Sequence, residues 1–225
     1  MVWKLKRDLF PLGIIVLVCV LSIIFYAGLP ESVPSHFNAE GAPDRFLPKL
    51  EFMIIIVGTI LGMYLLLTFL PFIDPLWKKI QGKYHILLIF RDVALVLLLY
   101  LYVLNIVAAK EGHLRVDLLG LGLGFLFVLL GNYLPKLPRN WFFGIRVPWT
   151  LSSEIVWKKT HIVGGWLFVA AGLVMAILSL LKVNLPVVFL ITLVPTVVIV
   201  GFLYPFLLYR RLQNEGKLDS SETRL

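Results

Sequence analysis

Six long apolar runs separated by polar stretches organise the chain: 9–28, 51–71, 86–108, 117–134, 161–181 and 185–208. A helix rises about 1.5 Å per residue, so about 20 apolar residues cross the hydrocarbon core of a bilayer. The pattern predicts an all-α integral membrane protein with six transmembrane helices. The fourth run is the shortest and carries Gly120, Gly122, Gly124 and Gly131. Glycine in a membrane helix allows close helix contact, so these positions are read as packing positions.

The first run follows basic Lys4, Lys6 and Arg7 and superficially resembles a signal peptide. It extends from Leu9 to Leu29, however, longer than a signal core of about 7–15 residues, and no clear small-x-small cleavage site follows it. It is read as a retained helix. Composition supports a bilayer as the solvent. Hydrophobic residues make up 60% of the chain, charged residues 15%, and the mean hydropathy is +0.92. A soluble domain is nearer half apolar with about a quarter of its residues charged. The sole cysteine, Cys19, lies inside the first run, where it reads as an inert small hydrophobe and permits no intrachain disulfide.

The formal net charge of +8 raises the question of nucleic acid. Yet the basic residues border the apolar runs, which is how membrane orientation is encoded, so the partner is the lipid bilayer and no direct nucleic-acid binding is expected. With the N-terminus inside, the segments on the cytoplasmic side hold 16 of the 21 lysines and arginines and the outer segments hold 5. Both termini are therefore placed in the cytoplasm, with loops 72–85 and 135–160 inside and 29–50, 109–116 and 182–184 outside. The division adopted is a two-helix region 1–75 with an extracytoplasmic loop, a four-helix region 76–209 and a polar cytoplasmic tail 210–225.

The outer loop reads LPESVPSHFNAEGAPDRFLPKL. Pro30, Pro34, Pro43 and Pro48 prevent a continuous helix, and Gly41 permits a positive φ, so Asn38–Gly41 suggests a tight turn. His36, Glu40 and Asp44 are a conceivable ligand set for a divalent metal. Their spacing matches no metal motif, and Pro43 breaks any helix that would align them. The reading adopted is structural: Asp44 and Arg45 cap or pair locally, His36 packs at the interface, and the loop contacts an outer ligand without metal.

The inner loop reads PKLPRNWFFGIRVPWTLSSEIVWKKT. Its tryptophans and phenylalanines alternate with Arg139, Arg146, Lys158 and Lys159, a composition suited to lying at the headgroups of an anionic leaflet. Asn132, at the end of the fourth run, offers an amide to unpaired backbone groups. Gly144-Ile-Arg146-Val-Pro148-Trp149-Thr150 combines a flexible glycine, a fixed charge, a rigid proline and a large aromatic. Thr150 or Ser152, followed by Glu154, resembles a helix start leading to Trp157. Anchoring alone does not require this mixture; a protein-docking surface or a shaped inner vestibule uses it.

On these residues the chain resembles a known family. The segment Gly131-Asn132 … Pro138-Arg-Asn140 … Phe143-Gly-Ile-Arg146-Val-Pro-Trp-Thr150-Leu … Val156-Trp157 … Thr160-His161 … Gly164 closely resembles the SdpI-like proteins. These are immunity membrane proteins for the sporulation-delaying toxin, and their relatives. The outer segment Leu29-Pro30 … Val33-Pro34 … His36-Phe-Asn38 … Gly41 … Pro43-Asp44-Arg45 resembles the uncharacterised membrane domain that often precedes that family. The resemblance implies protection against an extracellular peptide toxin and, as in the founding system, sequestration of a cytoplasmic repressor at the membrane. The candidate contacts outside are His36, Asn38, Gly41, Asp44 and Arg45. Those inside are Asn132, Asn140, Gly144, Arg146, Pro148, Trp149, Thr150, Trp157 and His161.

Two other function classes find little support in the sequence. A membrane enzyme lacks support: there is no HExxH and no GxSxG, and Ser152 and Ser153 have Glu154 beside them but no base in the loop. A transporter of ions or small molecules would use charges within the membrane. Only Arg91 and Asp92 qualify; the expectation is that Arg91 snorkels to the headgroups and Asp92 pairs with an arginine of a neighbouring helix. No cofactor is expected.

Overall fold

The structure, a computed structural model, describes residues 5–218. Lys4 and Arg224 of the basic tally, and the tail beyond 218, lie outside the described residues. Among those described, six helices are long and apolar enough to cross a membrane. They comprise α1 (Leu9–Tyr26), α2 (Lys49–Phe69), α4 (Tyr84–Glu111), α5 (Val116–Tyr133), α7 (Glu154–Leu180) and α8 (Leu185–Val198), which runs on through a π-helical turn into α9 (Tyr204–Asn214). Two short helices, α3 (Trp77–Ile80) and α6 (Pro148–Ser152), lie in the connections. The six predicted spans are all present, most of them within about three residues at each end.

The larger shift is at α7. Its helix begins at Glu154 rather than 161, because the polar first turns Glu154–Thr160 lie outside the apolar window yet are fully helical. The helix start is capped by Ser153, whose hydroxyl accepts from the Val156 N–H at 3.4 Å. Thr150 and Ser152, the expected caps, belong instead to α6.

The second difference is a β-hairpin where the prolines suggested an irregular loop. Strands β1 (Ser32–Phe37) and β2 (Pro43–Pro48) pair antiparallel, with Val33 opposite Leu47 and His36 opposite Arg45. Two strands alone expose both edges, so Pro34, Pro43 and Pro48 need not interrupt a ladder. The turn is as the sequence suggests. The Asn38 side chain accepts from the Glu40 and Ala42 N–H groups at 3.1 and 2.9 Å, and Gly41 has φ +86°. Val33, fully buried, belongs to a hydrophobic cluster with residues of α1, α2 and α4, among them Val18, Phe52 and Tyr102, and the hairpin sits against α2 and α4.

A second group of helices centres on α5 and α7, which touch through backbone. A Cβ at Gly124 would lie 2.7 Å from the Gly172 carbonyl, and one at Gly131 2.7 Å from the Gly165 carbonyl. No larger residue fits without parting the helices, so the glycines are packing positions. Gly122 differs: it faces the Tyr100 ring of α4.

At the ends of the helices away from the hairpin, Arg91 overturns its expected behaviour. It does not snorkel; it is fully buried. Its guanidinium donates to Asp8 Oδ1 at 2.6 Å, Asp92 Oδ1 at 2.8 Å, Thr68 Oγ1 at 3.0 Å and the Arg7 carbonyl at 3.1 Å. One side chain thus ties the start of α1 and the end of α2 to α4. Asp92 pairs with the arginine beside it on its own helix, not with one from a neighbour.

Candidate functional site

The segment joining α5 to α7 is folded by side chains that hydrogen-bond its own backbone. Asn140, fully buried, uses its whole amide: Oδ1 accepts from the Phe142 and Phe143 N–H groups at 2.9 and 2.6 Å. Its Nδ2 donates to the Pro138 and Phe143 carbonyls at 2.9 and 3.1 Å. A buried amide with every valence met holds a tight loop in one conformation.

Gly144 follows with φ +101°, a conformation that side chains rarely adopt. A Cβ there would collide with His161 Nε2. The turn brings the Ile145 N–H to His161 Nε2 at 3.0 Å, so that nitrogen is the acceptor. The proton therefore sits on Nδ1, which donates to the Trp157 carbonyl at 2.8 Å. The imidazole stacks on the Trp157 indole with centroids 4.1 Å apart, and the indole N–H donates to the Leu137 carbonyl at 3.0 Å. His161 and Trp157 are both buried. They are the pillar on which the loop rests.

Thr150 closes the segment. Its hydroxyl lies 2.7 Å from the Ile145 carbonyl and accepts from the Val147 N–H at 3.0 Å. Pro148 opens α6 at its first position, where a missing N–H costs nothing. Trp149 then packs edge-on against Phe202 and Phe206, at 5.5 and 5.2 Å between centroids. Phe202 belongs to the π-helical turn Ile199–Leu203, which follows Pro195 within α8. Proline supplies no N–H, and the widened turn beyond it presents both phenylalanines to α6.

Of the inner candidates, Asn140, Gly144, Thr150, Trp157 and His161 come together in one hydrogen-bonded unit. Arg146 stays exposed and donates to the Trp141 carbonyl at 2.6 Å. Asn132 does not join the unit: it is exposed, and its amide bonds back to the Val128 carbonyl of its own helix at 2.8 Å. Asp74 is the residue that sequence reasoning missed. Buried in the connection between α2 and α4, its carboxylate accepts from Leu76 N–H at 2.7 Å and Trp141 N–H at 2.8 Å. It pins the two connections on this face to each other. An Asp-Pro pair after a helix hints at a turn, but nothing local points to a partner 67 residues away.

On the opposite face, the hairpin gathers the outer candidates. His36 Nδ1 and Asp44 Oδ1 meet at 2.6 Å across the strands, both exposed. The local pairing of Asp44 is thus with His36 rather than with Arg45, and His36 stands out from the protein instead of packing on it. Arg45 is exposed opposite His36. Among the described residues no group of three or more His, Cys, Asp or Glu could hold a metal ion. Asn38 and Gly41 build the turn, and the Gly41 carbonyl accepts from Leu114 N–H at 2.8 Å, fastening the hairpin tip to the α4–α5 connection.

Residues 136–207 match the SdpI/YfhL protein family, and residues 13–61 match a domain of unknown function, DUF1648. Immunity protein SdpI of Bacillus subtilis (strain 168) is 27% identical over 210 residues, covering 92% of this chain and 98% of that protein. No solved structure matches the chain. The resemblance carried by the two loops is borne out, its inner part by the first match and its outer part by the second. With six spanning helices, these relationships make the chain a multi-pass protein of the cell membrane.

Proposed function

We propose, on the premise of a multi-pass membrane protein with an SdpI-type region, that this chain is an immunity protein. It protects its cell from an extracellular peptide toxin and engages a cytoplasmic regulator, a transcriptional repressor, through the α6 face. The observation that carries the reading is the separation of two built surfaces. A hairpin fastened to a neighbouring connection stands at one end of the bundle, and the Asn140–His161 unit, held by Asp74, stands at the other. The relative is named as an immunity protein rather than an enzyme. Of the intramembrane charges that would favour transport, Arg91 joins helices through Asp8, and Asp92 is paired with Arg91. The test is survival: toxin-sensitive cells producing the protein should withstand the sporulation-delaying toxin at doses that kill cells with an empty vector. Equal killing of both would remove the protective role.

The reading requires the hairpin outside and α6 inside, as the basic asymmetry indicates. In a Cys19→Ala background, cysteine at exposed Ser35 should react with an impermeant maleimide on intact cells. Cysteine at Gly82, where a Cβ meets nothing within 4 Å, should react only after lysis. The inverse labelling would invert the assignment.

Arg146 is the exposed charge of the inner unit and the residue best placed to meet a regulator. Its planar fork offers several donors, and only one is used on Trp141 in the described structure. Arg146→Lys keeps the charge and loses the fork. Repressor recruitment to the membrane fraction should fall while protein abundance is unchanged. Full recruitment by the lysine variant would reduce Arg146 to a headgroup anchor.

A further inference from the structure

Three connections meet on the hairpin face around a pocket of about 560 Å³. They are the hairpin tip (39–40), the α4–α5 connection with the start of α5 (113–117), and the α7–α8 connection (182–184). The volume falls in the range of sites that take small molecules or a few side chains, about 300–1,000 Å³.

The walls are held in place before any ligand arrives. The hairpin tip is fixed by the Asn38 side chain and by the Gly41–Leu114 hydrogen bond. Arg115 and Asp117 close on one another through two bonds, at 3.0 and 2.8 Å, so their charges are already satisfied. Two charges on the wall are not. Neither Glu40 nor Lys182 has an ion-pair partner among the described residues.

Lys182 is further distinguished by φ +56°; it is the only non-glycine with positive φ among the described residues. Its N–H bonds the Ser179 carbonyl as α7 ends, a position where glycine is the relaxed residue. What lysine adds over glycine there is an ammonium group at the pocket wall. Leu114, Val116 and Val183 supply apolar surface in the same lining.

We propose that this pocket is where the protein receives a segment of an extracellular peptide. The segment carries a cationic group for Glu40, a carboxylate for Lys182, and an apolar side chain beside them. The proposal rests on the protective reading and gives the toxin its contact site. A zwitterionic lipid headgroup also presents both charges. But a headgroup carries no apolar side chain beside its charges to meet Leu114, Val116 and Val183, which favours a peptide.

Two variants test it without threatening the fold. Lys182→Gly relaxes the backbone while deleting the ammonium. Glu40→Gln changes an exposed side chain in a turn whose hydrogen bonds use only the residue's N–H. Cells producing each at wild-type abundance, judged by immunoblot, should need about tenfold less sporulation-delaying toxin for half-killing than cells with the wild type, the scale of one lost charge-assisted hydrogen bond. Lys110→Gln, on the same face but outside the pocket, should protect as the wild type does.

The outcomes separate cleanly. Wild-type cells that die like empty cells would refute the protective reading itself. Wild-type cells that survive alongside equally protected Lys182→Gly and Glu40→Gln cells would refute the pocket alone. Labelled toxin should also bind the purified protein in nanodiscs of phosphatidylglycerol alone, and bind less to both variants. A variant effect seen only when phosphatidylethanolamine is present would assign the pocket to a headgroup and overturn the proposal.

Discussion

Arg91→Leu should destabilise the folded bundle by about 3–5 kcal/mol, the usual cost of breaking a buried ion pair by removing one partner. The guanidinium is wholly enclosed and makes hydrogen bonds to residues at the start of α1 and the end of α2 and to its neighbour Asp92 on α4. Its removal strands the carboxylate of Asp8, which is only 1% exposed and already has one oxygen without a hydrogen-bond partner. The residual charge, more than the lost contacts, sets the penalty. That reasoning makes a second, opposite expectation. Arg91→Leu combined with Asp8→Leu should recover a large part of the loss, because apolar replacement of both partners leaves nothing uncompensated near α1. Arg91→Lys should fall between, since one ammonium cannot reach four acceptors held at these angles. Thermal unfolding in detergent micelles reads all three. A cost for Arg91→Leu below about 1 kcal/mol, the scale of an exposed pair, would mean that water reaches the cluster and that the charges do not unite the helices.

Arg91 also shows where sequence reading stops. Its place four to five residues into an apolar run signals an unusual charge, and snorkelling is the cheapest local remedy. The remedy the protein uses depends on Asp8 and Thr68, 83 and 23 residues away, and no pattern in one chain connects them. The spans were legible for the opposite reason. A bilayer imposes a length of apolar helix that can be counted, whatever packs beside it. The hairpin was obscured by its prolines, which are normally evidence against a strand and are tolerated here because each strand has a free edge. The early start of α7 was hidden by Glu154, Lys158 and Lys159, whose charges end an apolar window without ending a helix. In the inner site, the residues could be named from resemblance, yet their division of labour could not. Asn140 and Thr150 shape the backbone, Arg146 faces outward, and Asn132 belongs to its own helix. Asp74 carried no signal at all beyond a turn.

Gly144→Ala should be the most damaging single-methyl change on the α6 face, costing a few kcal/mol from two separable sources. The first is conformational: φ +101° is glycine's territory, and forcing another residue there costs of order 1–3 kcal/mol. The second is steric, because the new Cβ occupies the space of His161 Nε2, the atom that accepts the Ile145 N–H. Displacing the ring breaks that hydrogen bond, a further loss of about 0.5–1.5 kcal/mol for a half-buried donor, and tilts the imidazole off Trp157. A double-mutant cycle divides the two. His161→Ala alone removes the acceptor and the stack, and is itself destabilising. In that background nothing remains for the Cβ to strike, so Gly144→Ala should cost only its backbone strain. The measurement is unfolding of the four proteins in one detergent, followed by Trp157 fluorescence with the other five tryptophans replaced by phenylalanine. A Gly144→Ala cost that is the same with and without the ring would show that the glycine serves the turn alone. A smaller cost without the ring places Gly144 and His161 in one mechanism: the glycine exists so that the backbone can come close enough to be held by the histidine.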